Sequence, residues 1–233
     1  MAQTTVPLNT GYNHAAFAVY PNAMAPSTTP DIYWVNIASY PATSPSAGPA
    51  WVVPTYTGGW AAAFPDTRWI NARNTSVSAP GTSGANPSYT IFRKCFCLLP
   101  NFNSATLSFR VRADNTVQAW FNSTTNVALA PATGNFNSTP LQSLASSASW
   151  FHTGVNCLYV LVEDTGVVMG LNLEGTIQAN GLMPLPATGV NATFTCPCTS
   201  TAASSMADVR TRAEIVRIAE ARRRARPVAP SPR

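Results

Sequence analysis

Tyr89-Thr-Ile-Phe-Arg93-Lys94-Cys-Phe96-Cys-Leu-Leu-Pro100, then Ala105-Thr-Leu-Ser-Phe-Arg-Val-Arg-Ala113-Asp114-Asn115-Thr-Val-Gln-Ala-Trp-Phe-Asn122, is the stretch that decides the fold class. Leu107, Phe109 and Val111 alternate with Ser108, Arg110 and Arg112, the period of a strand with one buried and one solvated face. Ala113-Asp114-Asn115 reads as a turn, and Thr116 to Phe121 returns as the next strand. The pattern repeats downstream in Leu158, Val160 and Val162, followed by a Glu163-Asp164-Thr165-Gly166 turn. Val167 to Ile177 supplies another hairpin arm, with Gly170 and Gly175 as bulge or bend positions. Seven to nine short strands at this spacing predict an all-β sandwich.

Working outward, residues 1–88 hold short apolar pieces between turn formers: Ile32 to Ile37, Trp51 to Val53, and Arg68-Trp69-Ile70. Residues 1–183 read as one sandwich domain and 184–203 as a closing strand plus linker. After that the character changes. Residues 204–226 contain no Gly or Pro and read as an Arg-rich helix stopped by Pro227, with 227–233 a disordered end. Ser205 to Asp208 resembles a capping box, and Asp208/Arg212 and Glu220/Arg224 stand at i,i+4 spacing. Met206, Val209, Ala213 and Val216 form a narrow apolar stripe, so the helix needs a surface to lean on.

Charge follows the same division. Only 10% of the 233 residues are charged, against roughly 25% in average soluble chains. Before residue 204, six basic and six acidic residues cancel; from 204 onward, eight Arg and three acids leave the whole net charge of +5. The sequence pI near 9.2 is therefore a property of the tail. No apolar run is long enough to span a membrane. The N-terminus lacks the basic and apolar regions of a secretory signal. An extracellular surface or a virus particle fits this composition better than free cytoplasm.

The order of several pieces carries a resemblance. Tyr89-x-x-x-Arg93-x-x-Phe96-x-Leu98 is followed by Ala105-x-Leu107 and Ala113-Asp114-Asn115-x-Val117-x-x-Trp120-x-Asn122. Then come Gly154-x-Asn156-x-Leu158-x-Val160-x-Val162 and Gly170-Leu171-x-Leu173-x-Gly175, with Asp31-x-x-Trp34 and Arg68-Trp69-Ile70 upstream. Over residues 10–183 the chain resembles the galactose-binding-like jelly-roll β-sandwich domains of bacterial secreted and surface proteins. The resemblance implies a jelly roll used for binding, often of carbohydrate.

Candidate sites follow from chemistry. Sugars stack on exposed aromatic rings, and Trp60, after Gly58-Gly59, is the loop aromatic expected to be exposed; Trp34 and Trp69 are expected in the core. Asp114 and Asn115 at a turn tip could bond sugar hydroxyls, although such a pair more often bonds its own backbone. Trp120 joins them as a carbohydrate-binding candidate. Arg217, Arg222, Arg223 and Arg224 are candidates for holding a partner. Cys95, Cys97, Cys157, Cys196 and Cys198 could form disulfides, bind zinc or stay as buried thiols, and an odd count leaves at least one unpaired within the chain.

No nucleophile elbow, zinc-protease helix, P-loop or dinucleotide motif appears, so no catalytic residue, cofactor or metal is expected. The acids are too few and dispersed to mark a calcium site. Two function classes remain. One is a non-enzymatic, lectin-like module displayed on a surface or particle. The other is a structural or decorating subunit of an assembly, such as a phage particle or filament, attached by its Arg-rich helix. The expected partner is a glycan or a protein, and a homo-oligomer is allowed. The tail's lack of interleaved aromatics disfavours nucleic acid.

Overall fold

A computed structural model describes residues 3–13, 18–19, 29–40, 47–100, 102–133, 135–137, 141–144, 148–184 and 201–225. The strands are β1 (Gln3–Pro7), β2 (Tyr12–Asn13), β3 (Ala18–Val19), β4 (Pro30–Tyr40), β5 (Gly48–Val52), β6 (Ile70–Asn71) and β7 (Ser88–Leu98). After these come β8 (Thr106–Asp114), β9 (Thr116–Phe121), β10 (Ser123–Thr133), β11 (Leu141–Leu144), β12 (Gly154–Asp164), β13 (Gly170–Asn180) and β14 (Leu182–Pro184). One helix, α1 (Thr201–Ala225), follows them. The protein is all-β and sandwich-like with a C-terminal helix. The described residues hold fourteen strand segments rather than seven to nine, because irregular pieces such as β6 and β14 each complete a neighbour's ladder over only one to three residue pairs.

Antiparallel pairing runs β10-β9-β12-β7-β4-β5-β6-β13-β8-β11, with β1 on β13 and β14 on β7; β2 and β3 pair separately. This sheet curls back on itself. Phe92, Phe96, Val117, Phe121, Leu158 and Val160 from one half meet Leu107, Phe109, Val111, Leu171, Leu173 and Ile177 from the other in a single buried core. Burying these side chains at about 25 cal/mol per Å² of apolar surface is the main stabilising term.

The Asp114–Asn115 segment departs from the sequence expectation. It is not a hairpin turn, since β8 pairs with β13 and β11, whereas β9 pairs with β12 and β10. Here the chain crosses from one half of the curled sheet to the other. Asn115 anchors the crossing: its backbone N–H donates to Glu163 O (2.7 Å), and its Oδ1 accepts from Thr165 N and Oγ1 (2.7 Å each). The Asp114–Asn115 peptide bond is cis.

The bulge or bend expected at Gly170 and Gly175 is likewise not seen: Gly170 opens β13 and Gly175 lies within it, in unbroken register with β8. Each is a place of close approach. A Cβ on Gly170 would meet the Trp60 ring at 2.3 Å, and one on Gly175 would meet Phe109 Cβ at 2.4 Å and Ser108 O at 2.5 Å.

The helix starts at Thr201, ahead of the predicted cap, and runs through Ser205. It lies on the outer face of the β9, β12, β7 and β4 half. There Ile215 and Ala219 join Val35, Ile37, Tyr89, Ile91, Trp120, Tyr159 and Leu161 in a second apolar cluster. The predicted apolar stripe holds only at Val216, which packs against this cluster; Met206 lies outside the described side chains. Val209 is 62% exposed and Ala213 is exposed, while Thr211, Ile215 and Ala219, at i, i+4 and i+8, are buried. The sheet beneath is crowded with aromatics, so a close contact selects small side chains along with Ile215. Polar groups fix the docking. Thr211 Oγ1 donates to Asn122 O (2.7 Å), Thr124 Oγ1 to Glu214 (2.7 Å), Arg212 to Ile37 O (3.0 Å), and Arg222 to Gln118 Oε1.

Cysteine chemistry sits under this helix. Cys95 and Cys157 occupy directly opposed positions on β7 and β12 and are joined by a disulfide. Cys97 is also disulfide-bonded. Cys196 and Cys198 lie outside the described residues.

Candidate functional site

The two outer faces of the curled sheet have opposite chemistry. The helix-covered face is mainly apolar. The other, formed by β1, β13 and β8, is polar because the solvated parity of each strand points outward: Ser108, Arg110, Arg112 and Asp114 on β8, and Asn172, Glu174 and Thr176 on β13. Register sets these into rungs: Gly170 opposite Asp114, Asn172 opposite Arg112, Glu174 opposite Arg110, and Thr176 opposite Ser108.

The loop of residues 53–69 covers the first two rungs. Trp60 lies over Gly170, stacks on Trp69 (centroids 4.2 Å apart), and donates its Nε1–H to Asp114 Oδ2 at 2.8 Å. Asn172 Oδ1 accepts from Phe64 N (3.0 Å), and its amide donates to Thr67 Oγ1 (2.7 Å). The Phe64 ring ends the covered zone beneath two guanidiniums, Arg110 at 4.5 Å and Arg112 at 4.4 Å from its centroid. Such cation–π contacts contribute about 0.5–1 kcal/mol each near a surface. Arg112 Nη1 also donates to Ala62 O (2.8 Å).

The last two rungs remain open. A groove of about 410 Å³ runs along them, lined by Asn9, Ser108, Arg110, Glu174 and Thr176 over a base that includes Pro7, Phe109 and Gly175. Arg110 Nε–H donates to Glu174 Oε2, and both side chains stay partly exposed. Asn9 is fixed in place, its Oδ1 accepting from Gly175 N (3.1 Å) and its amide donating to Asp66 O (3.0 Å). The groove thus presents a planar cation, a carboxylate, two hydroxyls and an amide, all on strands or anchored to them. Such a set both donates to and accepts from neutral polar ligands.

The sequence-predicted residues are not brought together there. Trp60 is 7% exposed and serves as a lid on Asp114, so its expected exposure is corrected: bare Gly170 leaves room for the ring, and Asp114 accepts its Nε1–H. Trp120, 2% exposed, lies beneath α1. Trp34 and Trp69 are core, as expected. Asp114 is buried, and burial pushes its carboxyl up to about 6 against the Trp60 hydrogen bond, with Asp164 nearby adding to the rise. Its Oδ1 is buried with no hydrogen-bond partner among the described residues. Asn115 is spent on the chain crossing. Of the four tail arginines, Arg222 is bound to Gln118 while Arg217, Arg223 and Arg224 are exposed. The expected Glu220–Arg224 pair forms (3.7 Å), Arg210–Glu214 (3.3 Å) is an additional pair, and Arg212 reaches the sheet; the Asp208 side chain of the expected Asp208–Arg212 pair lies outside the described residues.

Sequence reasoning placed Arg110 and Arg112 on a solvated face but missed the groove. The only available signal was the matching outward parity of Glu174 and Thr176, which means nothing until β13 is known to pair with β8. Among the described residues, no group of three or more His, Cys, Asp or Glu is arranged to hold a metal ion, and no helix is long and apolar enough to cross a membrane.

No protein-family model matches the chain, and no curated protein matches it. Among solved structures it is similar to a PA14 sugar-binding domain from an RTX adhesin, at 17% identity over 39% of this chain and 46% of that one, with a TM-score of 0.25. It is similar also to the PA14 domain of the MpAFP antifreeze protein, at 20% identity over 49% of this chain and 56% of that one, with a TM-score of 0.28. Each match spans about half the length of the solved domain. Likenesses this small carry no argument about this chain.

Proposed function

We propose that the chain is a non-catalytic carbohydrate-binding module and that its site is the open groove along Arg110–Glu174 and Ser108–Thr176. One observation carries the reading: the outer face is covered rung by rung by the 53–69 loop until Phe64, and beyond it a polar groove is left unfilled. A sugar offers adjacent hydroxyls that both donate and accept. In the groove, Glu174 accepts, Arg110 donates in a plane, and Ser108, Thr176 and Asn9 do either. The rigid strand backbone keeps the cost of ordering these groups low.

A glycan array read with the full chain and with an Arg110→Ala/Glu174→Ala variant tests this. Binding of one sugar class, lost in the variant while the melting temperature holds, is the expected result. An array with no binding by the unaltered protein ends the carbohydrate reading. Binding retained at full strength in the variant moves the site elsewhere.

A further inference from the structure

We propose that the outward face of α1 is a second binding surface, for an acidic polysaccharide in which charged sugars are sparsely and regularly spaced. This does not rest on the groove. It rests on how the helix divides its arginines. At 100° per residue, Arg210, Arg217 and Arg224 fall in one row, half a turn away from the docked residues Ile215 and Ala219. Arg212 and Arg222 are used in docking. The row points to solvent: the side chains of Arg210 and Arg224 are 83% and 81% exposed, and Arg217 is exposed too. Between Arg217 and Arg224 lies a shallow groove of about 510 Å³, completed by Ala221, Ala225 and Glu220. The alanines leave room for a ligand chain to lie against the helix.

Spacing selects the partner. Seven residues of helix set successive arginines about 10 Å apart. Glu214 and Glu220 sit between them and hold Arg210 and Arg224 in place at 3.3 and 3.7 Å. Duplex DNA carries one charge per about 1.7 Å of axis, so its phosphates would be pressed against these carboxylates. A polymer with neutral sugars between its carboxylates or sulfates can place its charges on the arginines and its uncharged units beside the acids. Residues 204–233 hold the entire net charge of +5, which gives long-range attraction for a polyanion at low salt.

The test uses the full chain and calorimetry at low and physiological salt. The probes are an alternating-uronate polysaccharide (hyaluronan oligomers), neutral dextran and a 20-base-pair DNA duplex. The variants are Arg210→Gln/Arg217→Gln/Arg224→Gln and, separately, Arg110→Ala/Glu174→Ala. The expected result is salt-sensitive uronate binding, no dextran binding, and a roughly tenfold loss in the triple variant with unchanged helix content. The groove variant should bind uronate as the unaltered chain does. No uronate binding, equal binding by the triple variant, or tighter binding of DNA would each overturn the proposal. Loss in the groove variant alone would also overturn it, and would assign acidic-sugar recognition to the groove.

Discussion

The two outer faces of this curled sheet come from strands with the same alternating geometry, yet one is an interior surface and the other a wet one. On the β9–β12–β7 side both parities are mostly apolar, with Arg93, Lys94 and Glu163 among the buried exceptions, and β7 and β12 are buried along their entire lengths. Such strands need a cover, and α1 supplies it. On the β8–β13 side the outward parity is Ser, Arg, Arg and Asn, Glu, Thr, which a loop covers in part and water covers in the rest. The lesson is that the second parity of a strand, more than its first, states what lies on top of it.

The largest expected effect separates the faces directly. Ile215→Asp places a carboxylate against Trp120, Tyr159 and the Cys95–Cys157 layer in place of a fully buried apolar side chain. Loss of the apolar contact plus burial of a charge should cost about 4 kcal/mol or release the helix outright. Circular dichroism should then show lost helix, and the melting temperature should fall by many degrees. Ser108→Asp, a comparable change on the open face, should stay within about 0.5 kcal/mol of the unaltered chain. Equal effects from both would break the distinction drawn between the faces.

A second effect lies between the faces, inside the core. Lys94 shares its parity with Phe92 and Phe96 yet is buried, with its Nζ 5.7 and 5.8 Å from the centroids of Tyr33 and Trp34. Burial pushes its ammonium down to about 7, against the attraction of Asp31, which raises it. Asp31 is fully buried and its carboxyl is raised by burial, against Lys94 and the N–H groups of Tyr33, Gly11 and Trp34. Between about pH 7 and the ordinary lysine value, the unfolded chain binds a proton at Lys94 that the folded chain does not. Lys94 therefore makes stability rise with pH across that window. Lys94→Met should flatten the rise in a denaturation series. At neutral pH it should also cost about 3 kcal/mol by leaving Asp31 without its cation, while Lys94→Met/Asp31→Asn should recover most of that loss.

These contrasts mark what was legible in the sequence. Alternation exposed β8 and β12, and the Gly- and Pro-free run exposed α1, because each signal is local. The helix's buried stripe was not legible, since hydrophobicity pointed to Val209 whereas the sheet's shape selected Thr211 and Ala219. Asp114–Asn115 looked like a turn tip because a crossing between sheet halves uses the same residue types as a hairpin. The groove depends on Glu174 reaching Arg110 across 64 positions of chain, a register that no local pattern encodes. Trp60 misled for a similar reason: the bare Gly170 that receives it lies far away on β13.

The smallest expected effect is the one that tests function most cleanly. Arg110 and Glu174 are opposed across β8 and β13 and remain 39% and 28% exposed at their side chains. An ion pair this wet contributes about 0–1 kcal/mol, because solvent screens it and two long side chains must be ordered to make it. Glu174→Ala should therefore change the melting temperature by no more than a few degrees. Arg110 would still lie over Phe64, which keeps the end of the covering loop in place. If the pair exists chiefly to hold the fold, the loss should instead approach that of Ile215→Asp, and the open face would have to be counted as structure. If stability holds while sugar binding disappears, the pair is retained for what it touches outside the chain.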